Sequence, residues 1–238
     1  MLWYKAWLET RTRFLISFAG ITLITAFSAF EHAKDALPTS GMSYYYFVLY
    51  LTHQVFALLW VLSVILLMMG GLVREKAVGA SSFTLALPVS RSRLVWTRIA
   101  TGLMESFILG LVPWILMFAI LCVAGKPLAV SQAAIYLTVM FAGGFLFFAI
   151  AALSAAMFEG EYTAPLVACS SFIALSLSFN EPAFKTWSPA HLLLASNLLR
   201  RQSILLGSSI PWNVIGVIAS IAGVLLFASV KIVERREF

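Results

Sequence analysis

Charged residues are scarce in this chain, and their scarcity decides its class. Only 11% of the 238 residues are charged, whereas 61% are hydrophobic and the mean hydropathy is +0.96. A soluble domain of this length carries about 25% charged residues and has too little interior to bury so much apolar surface. The composition therefore excludes an ordinary soluble domain and indicates a protein whose solvent is the lipid bilayer.

The sequence also lacks the motifs of the common catalytic and metal sites. It has no G-x-x-x-x-G-K-[ST] phosphate-binding loop, no H-E-x-x-H zinc motif, no Cys/His cluster at metal spacing and no G-x-S-x-G nucleophile. These absences predict that the chain is not an enzyme and binds no cofactor or metal of its own. An intramembrane serine protease is a further alternative, because serines are plentiful and His53 lies in an apolar stretch, but nothing in the sequence positions such a pair.

Cysteine is nearly absent as well. The two cysteines, Cys122 and Cys169, both fall within apolar stretches. We expect them to be small core residues, so they predict no disulfide framework and indicate no redox compartment.

Long uncharged stretches are what the sequence has in abundance. Six of them lack Asp, Glu, Lys and Arg and are long enough to span a bilayer, which takes roughly 20 residues. Apolar runs without two-residue alternation favour helices over barrel strands. We therefore predict an all-α integral membrane protein, a single domain covering residues 1–238, with transmembrane helices at about 14–30, 47–72, 99–124, 130–157, 162–179 and 211–232.

Two segments outside the spans are predicted to be helical. Residues 1–13 place aromatic side chains, including Trp3 and Trp7, on one side of a helix and mostly charged ones on the other, which favours the headgroup region. This N-terminal interfacial helix is either an anchor or a helix that also contacts a cytoplasmic partner. In the loop after the fifth span, apolar blocks within about 181–208 predict one or two short helices, lying in the outer interface or partly re-entrant.

The net charge of +6 is distributed as a topology signal rather than as a nucleic-acid-binding patch. With a cytoplasmic N-terminus and six alternating spans, eleven of the sixteen basic residues face the cytoplasm and five face out. This asymmetry follows the positive-inside rule. We therefore predict a multi-pass protein of the cytoplasmic (inner) membrane, with both termini in the cytoplasm and no nucleic-acid partner.

One carboxylate lies within a predicted span. Glu105 follows Arg98 by seven residues, which places it about 10 Å further along the same helix face. A carboxylate at mid-membrane costs about 2.5–3.5 kcal/mol on insertion scales, and a nearby cation relieves part of that cost. Glu105 either anchors a contact between helices or lines a transport path.

Four uncharged polar residues within spans are further candidates for a transport path. His53 and Gln54 either form hydrogen bonds to a neighbouring helix or line an aqueous cavity. Ser171 and Ser178 are seven residues apart and therefore share a helix face, where small residues either allow close packing or bind substrate.

The longest cytoplasmic connection, residues 70–99, reads GGLVREKAVGASSFTLALPVSRSRLVWTRI. A short helix over about 75–87 places Gly79, Phe83 and Leu87 on one face at four-residue spacing. Such a helix either docks onto a cytoplasmic partner or lies passively on the headgroups.

The residues after this helix form a turn into the third span. Pro88 ends the helix, Ser90 can cap the next one, and Arg91 marks its cytoplasmic foot.

This connection resembles the loop of ABC-2 type permeases, the membrane subunits of many prokaryotic ABC exporters. In that family a Glu follows the second span, a Gly-Thr pair comes next, and an L-P-V-S-R-like turn leads into the third span. The matching residues here are Glu75, Gly79, Leu87, Pro88, Val89, Ser90 and Arg91. Ala80 stands where the family usually has Thr, so a contact through that hydroxyl is not expected. The wider plan of the chain also resembles that of the family. It consists of an amphipathic start, six spans and a long outer loop before the last span.

The resemblance implies both a function and partners. It implies a transmembrane permease subunit of an ABC exporter, which moves substrate across the cytoplasmic membrane while a separate cytoplasmic ABC ATPase binds ATP and Mg²⁺. The implied ATPase-coupling residues, on a coupling helix between the second and third spans, are Glu75, Gly79, Phe83, Leu87 and Arg91. It also implies a second permease, as a homodimer or a related chain, with the first, second and fifth helices near the shared interface. The alternative is a membrane-embedded structural or assembly protein that binds a cytoplasmic partner without transport.

Overall fold

A computed structural model describes residues 2–34, 42–68, 90–125, 130–158, 160, 162–178, 187–194, 199–200, 203–206 and 210–235. The helices within these residues are α1 (Leu2–Lys34), α2 (Met42–Leu67), α3 (Arg91–Val123), α4 (Val130–Met157), α5 (Thr163–Ser178), α6 (Pro189–Leu193) and α7 (Trp212–Arg235). Two short strands, β1 (Leu199–Arg200) and β2 (Ser203–Leu206), pair antiparallel as a hairpin.

Four helices are long and apolar enough to cross a membrane, judged by length and composition. They are Leu2–Glu31, Arg91–Val123, Ala133–Met157 and Trp212–Arg235. Two shorter apolar helical stretches, His53–Leu67 and Thr163–Leu177, accompany them. The chain is therefore a multi-pass, predominantly helical membrane protein, which confirms the predicted class at that level.

The N-terminal segment is part of the first long helix. We predicted a separate interfacial helix over 1–13, but α1 runs without a break from Leu2 to Lys34. One stripe is buried along its whole length, formed by Ala6, Thr10, Phe14, Ile21, Thr25 and Ala29. These residues recur at four- and seven-residue spacing, and α1 packs along α3. Because the same buried stripe packs along α3 throughout, the amphipathic residues up to 13 and the apolar residues after them form one continuous helix.

The bundle is organised around α2. Extensive contacts pair α1 with α3 and α4 with α7, while α2 contacts α1, α3, α4 and α5. The buried residues of these helices form one main core, in which Trp60, Phe147 and Phe148 are almost fully enclosed.

The beginnings of α1 and α3 and the end of α7 lie at the same end of the bundle. Arg98 of α3 forms an ion pair with Glu9 of α1, with 2.5 Å between Nη1 and Oε2. The Ser92 side chain of α3 lies close to the Glu234 carboxylate of α7. Ser90 caps α3 as predicted, because its Oγ accepts a hydrogen bond from the Arg93 N–H.

The end of α4 lies there too. Ala156, one residue before the last of α4, forms a small buried cluster with Val233 of α7, against which Leu94 of α3 packs. Because α4 ends where α3 begins, the two helices run in opposite directions.

The described residues between α5 and α7 contain one short helix and two short strands. One or two short helices were predicted within about 181–208; the described part of that range has one, α6, and residues 199–200 and 203–206 form paired strands. The five-residue helix α6 packs against Gly143, which is about 20 Å from either end of α4. Three residues of this helix are almost fully buried: Ala190, Leu192 and Leu193. Therefore α6 lies beside the middle of α4.

The prediction of core positions for both cysteines is wrong for Cys122. Cys122 is exposed near the end of α3, whereas Cys169 is half-buried on α5, and both are free thiols.

Candidate functional site

The predicted coupling segment is largely outside the described residues. Glu75, Gly79, Phe83 and Leu87 belong to residues 69–89, so the helix predicted at 75–87 stays a prediction. Arg91 is described: it is the first residue of α3 and is half-buried at the end of the bundle where both α1 begins and α7 ends.

Glu105 lies in a buried contact between α1 and α3. The Thr10 hydroxyl donates a hydrogen bond to Glu105 Oε1 at 2.5 Å, and both side chains are only 2% exposed. The same hydroxyl lies 3.2 Å from the Ala6 carbonyl oxygen, but its single hydrogen serves one acceptor at a time. Within the described part of the chain, Glu105 Oε2 has no hydrogen-bond partner. A carboxyl group in this position ties two apolar helices together and keeps one oxygen able to bind a further group.

A more exposed ion pair lies beside this contact. Glu9 accepts from Arg98 across the two helices, and Lys5 lies 3.8 Å from Glu9 on α1. Such partly exposed pairs stabilise a protein by only about 0–1 kcal/mol. We call Thr10, Glu105, Glu9 and Arg98 together the α1–α3 polar contact.

His53 lies at the centre of a second buried group. Its Nε2 donates to the Leu193 carbonyl oxygen at 3.1 Å, because a carbonyl can only accept. The ring centroid of His53 is 4.6 Å from that of Tyr136 and 6.0 Å from that of Trp114. We call His53, Trp114, Tyr136 and Leu193 the His53 cluster, which joins α2, α3, α4 and α6.

Two polar atoms of the His53 cluster are buried without a partner. His53 Nδ1, an acceptor when the ring is neutral, and Trp114 Nε1, a donor, form no hydrogen bond with any described residue. Buried polar atoms are nearly always paired, because leaving one unpaired costs about 1–3 kcal/mol. An acceptor and a donor close together are therefore a candidate place for a polar group to bind.

A glycine and a cap hold α6 against this cluster. A Cβ atom at Gly143 would lie 2.7 Å from both the Leu193 nitrogen and the Pro189 oxygen, which are backbone atoms. Only glycine therefore lets the α6 backbone approach α4 so closely. Fully buried Ser188 caps α6 by accepting from the His191 N–H.

The remaining path candidates are less informative. The Ser171 hydroxyl donates to the Val167 carbonyl of its own helix at 2.7 Å, and Gln54 is half-buried beside His53. Ser178 is the last residue of α5, and its side chain is not among those that the structure describes.

Glu105 and His53, two of the residues predicted to line a path, lie in different places. Glu105 belongs to the α1–α3 polar contact, whereas His53 meets Trp114, which is nine residues and about 13 Å further along α3. The structure therefore places polar groups at two depths along one helix and does not gather them into one site.

Sequence reasoning missed the partners of these residues. Thr10 and Trp114 lie in α1 and α3, and Leu193 contributes only a backbone carbonyl. No local pattern could have found that carbonyl, although the four-residue spacing of Ala6, Thr10 and Phe14 could have pointed to Thr10.

Neither a search for metal-binding groups nor comparison with known proteins assigns a function to these residues. In the ranges that the structure describes, no three His, Cys, Asp or Glu residues are grouped so that they could hold a metal ion. No protein-family model matches the sequence, and neither a curated protein nor a solved structure matches it.

Proposed function

We propose that this chain is the transmembrane permease subunit of an ABC exporter, with six membrane spans and cytoplasmic termini. The observation that carries the proposal is the 70–99 connection, whose residues from Glu75 to Arg91 resemble the coupling loop of ABC-2 type permeases. The bundle adds support, because α3 begins at Arg91 among the feet of three helices.

The directions of the helices support six crossings. Because α1 and α3 begin at the same end of the bundle, α2 has to return the chain across it. Because α4 and α7 both end there, α5 has to cross in the opposite direction to α4. The 26 residues of α2 give a length of about 39 Å, and the 16 residues of α5 give about 24 Å. The second value is short, but a bilayer thins locally around short helices.

The charges support the proposed orientation. The basic residues described near the end shared by α1, α3 and α7 are Lys5, Arg11, Arg13, Arg91, Arg93, Arg98, Lys231 and Arg235. Short loops and helix ends rich in Lys and Arg remain in the cytoplasm. This end therefore faces the ATPase.

The proposed coupling mechanism uses the contacts of α3. Closure of the ATPase subunits moves the helix at 75–87, and α3 carries that movement into the membrane over its 33 residues, about 50 Å. The α1–α3 polar contact transmits it to α1, and Trp114 transmits it to the His53 cluster and α6. Two such permeases, identical or related, are needed to enclose the path.

One observation favours the alternative of a membrane-embedded assembly protein. Glu105 and His53 each form a hydrogen bond to a neighbouring segment, and Ser171 bonds within its own helix, which is also what packing alone requires. An assembly protein would bind its partner without ATP-dependent movement of any substrate.

The test is Phe83→Ala, because Phe83 is the best candidate for an anchoring ring in the predicted coupling helix. Truncating a buried aromatic anchor costs 2 kcal/mol or more, which weakens binding about 30-fold. Phe158→Ala is the matched control, since it makes the same substitution at a partly exposed residue that follows α4 at the proposed cytoplasmic end. An ABC ATPase that co-purifies with the parent chain would be recovered with each variant, and its ATP turnover measured.

We expect Phe83→Ala to insert normally, to lose the ATPase and to abolish ATP-stimulated transport in vesicles, while Phe158→Ala retains all three properties. Equal ATPase recovery and turnover in both variants would remove the coupling role from this helix. Binding of a partner that hydrolyses no ATP would favour the assembly protein.

A further inference from the structure

An apolar pocket lies between α2, α3 and α4. Its volume is about 400 Å³, within the range of about 300–1,000 Å³ that is usual for ligand pockets. Trp60, Val64 and Phe148 form a buried floor, and each is at most 2% exposed. Half-exposed residues of α3 and α4, including Phe107 and Phe145, form the other wall, so the pocket opens on that side.

The polar groups of this pocket are already satisfied. The Trp60 indole N–H donates to the Ser106 carbonyl oxygen at 2.8 Å. The Ser106 hydroxyl donates to the Gly102 carbonyl oxygen at 2.6 Å. None of the described residues that line the pocket is charged. A polar or charged ligand would therefore lose its hydration without gaining partners, so the pocket selects for hydrocarbon.

The mouth of the pocket is continuous with the outward apolar surface of α3. Phe107 and Met104 are more than half exposed on this helix, as large apolar side chains facing lipid are. Phe107 lies nine residues beyond Arg98, the nearest basic residue toward the foot of α3, or about 13 Å along the helix. At that depth the pocket meets acyl chains and not headgroups.

We propose that this pocket binds one acyl chain of a bilayer phospholipid, inserted laterally between α3 and α4 over the Trp60 ring. The aromatic floor gives a broad apolar contact surface for the chain. The proposal depends on the membrane position of α2, α3 and α4 and not on transport, so it stands or falls separately from the proposed function.

Quenching of tryptophan fluorescence tests this directly. Bromine atoms on acyl chains quench a tryptophan that they contact. One variant of the full chain keeps only Trp60, with the other six tryptophans replaced by phenylalanine. A second keeps only Trp114, which is buried to the same extent but does not line the pocket. Both are reconstituted into phosphatidylcholine vesicles with plain or brominated acyl chains.

We expect brominated vesicles to remove most of the Trp60 emission and little of the Trp114 emission. Ala142→Phe, which fills the pocket from α4, should restore the Trp60 emission. Ala134→Phe, on the exposed face of the same helix, should leave it quenched. Unchanged Trp60 emission in brominated vesicles, or equal quenching of the two tryptophans, would overturn the proposal.

Quenching of Trp60 that persists in Ala142→Phe would also overturn it, because the bromine would then act from lipid outside the pocket. The emission of Trp114 in an Ala142→Phe background reports whether that variant is folded. If it is misfolded, the comparison of Trp60 with Trp114 in the unfilled pocket still decides the question.

Discussion

His53 Nε2 donates a hydrogen bond to the carbonyl oxygen of Leu193, which is 140 residues later in the chain, at 3.1 Å. The contact ties the short helix α6 to α2 at a depth where the surrounding surface is apolar. A backbone carbonyl has no water there to replace a lost partner, so its hydrogen bond has to come from the protein.

Removing the imidazole should therefore loosen α6. We expect His53→Ala to lower the free energy of unfolding by about 1–3 kcal/mol, because the buried Leu193 carbonyl loses the donor that His53 supplies. His53→Gln should recover part of the loss, since its amide N–H can donate. Unfolding by SDS titration in mixed micelles measures the change. Ser170→Ala is the control, because that exposed hydroxyl bonds only within its own helix. No difference between His53→Ala and Ser170→Ala would contradict a structural role for the bond.

The Thr10–Glu105 contact should show energetic coupling between α1 and α3. Hydrogen bonds between membrane helices contribute about 0.6 kcal/mol on average and up to about 1.7 kcal/mol. In a cycle of Thr10→Val, Glu105→Ala and the double variant, we expect a coupling energy in that range. Because the pair is buried, it should be nearly independent of salt.

The neighbouring Glu9–Arg98 pair provides the comparison for that cycle. It is partly exposed, so its coupling energy should be about 0–1 kcal/mol and should fall as salt is added. Coupling at Thr10–Glu105 that is absent, or as sensitive to salt as that of Glu9–Arg98, would mean that Glu105 is solvated rather than held by α1.

Gly143 should tolerate no side chain. A methyl group there would overlap the backbone of α6, and a backbone cannot move away as a side chain can. We expect Gly143→Ala to lower the free energy of unfolding by about 1–3 kcal/mol. Gly216→Ala on α7 is the control: nothing lies within 4 Å of its added Cβ, and alanine stabilises a helix by about 0.5–1 kcal/mol relative to glycine. Equal stability of the two variants would place α6 away from α4.

The orientation of the chain can be read by labelling single cysteines. In a background with Cys122 and Cys169 replaced by alanine, a cysteine at Ser40 should react with an impermeant reagent in intact cells. A cysteine at Ser92, near the shared foot of α3 and α7, should react only after lysis. Labelling of Ser92→Cys in intact cells, with none of Ser40→Cys, would reverse the orientation.

The sequence by itself determined that the chain is a helical membrane protein and where its apolar helices lie. Each of the six predicted spans overlaps one helix of the structure, because the length and apolarity of a span are local properties that backbone hydrogen bonding turns into a helix. The Ser90 cap was equally local, since it needs only the residue and the helix that follows it.

Tertiary structure alone decided which polar groups meet. Thr10 and Glu105 are 95 residues apart, and His53 pairs with a carbonyl that every residue possesses, so no periodicity could identify either partner. It also joined residues 2–13 to the first long helix, because a buried stripe against α3 continues through both. The depth of α6 depended on a single glycine in a different helix, whose missing side chain leaves room for a backbone. Such close approaches arise from packing between segments that are distant in the sequence, so a local sequence pattern cannot predict them.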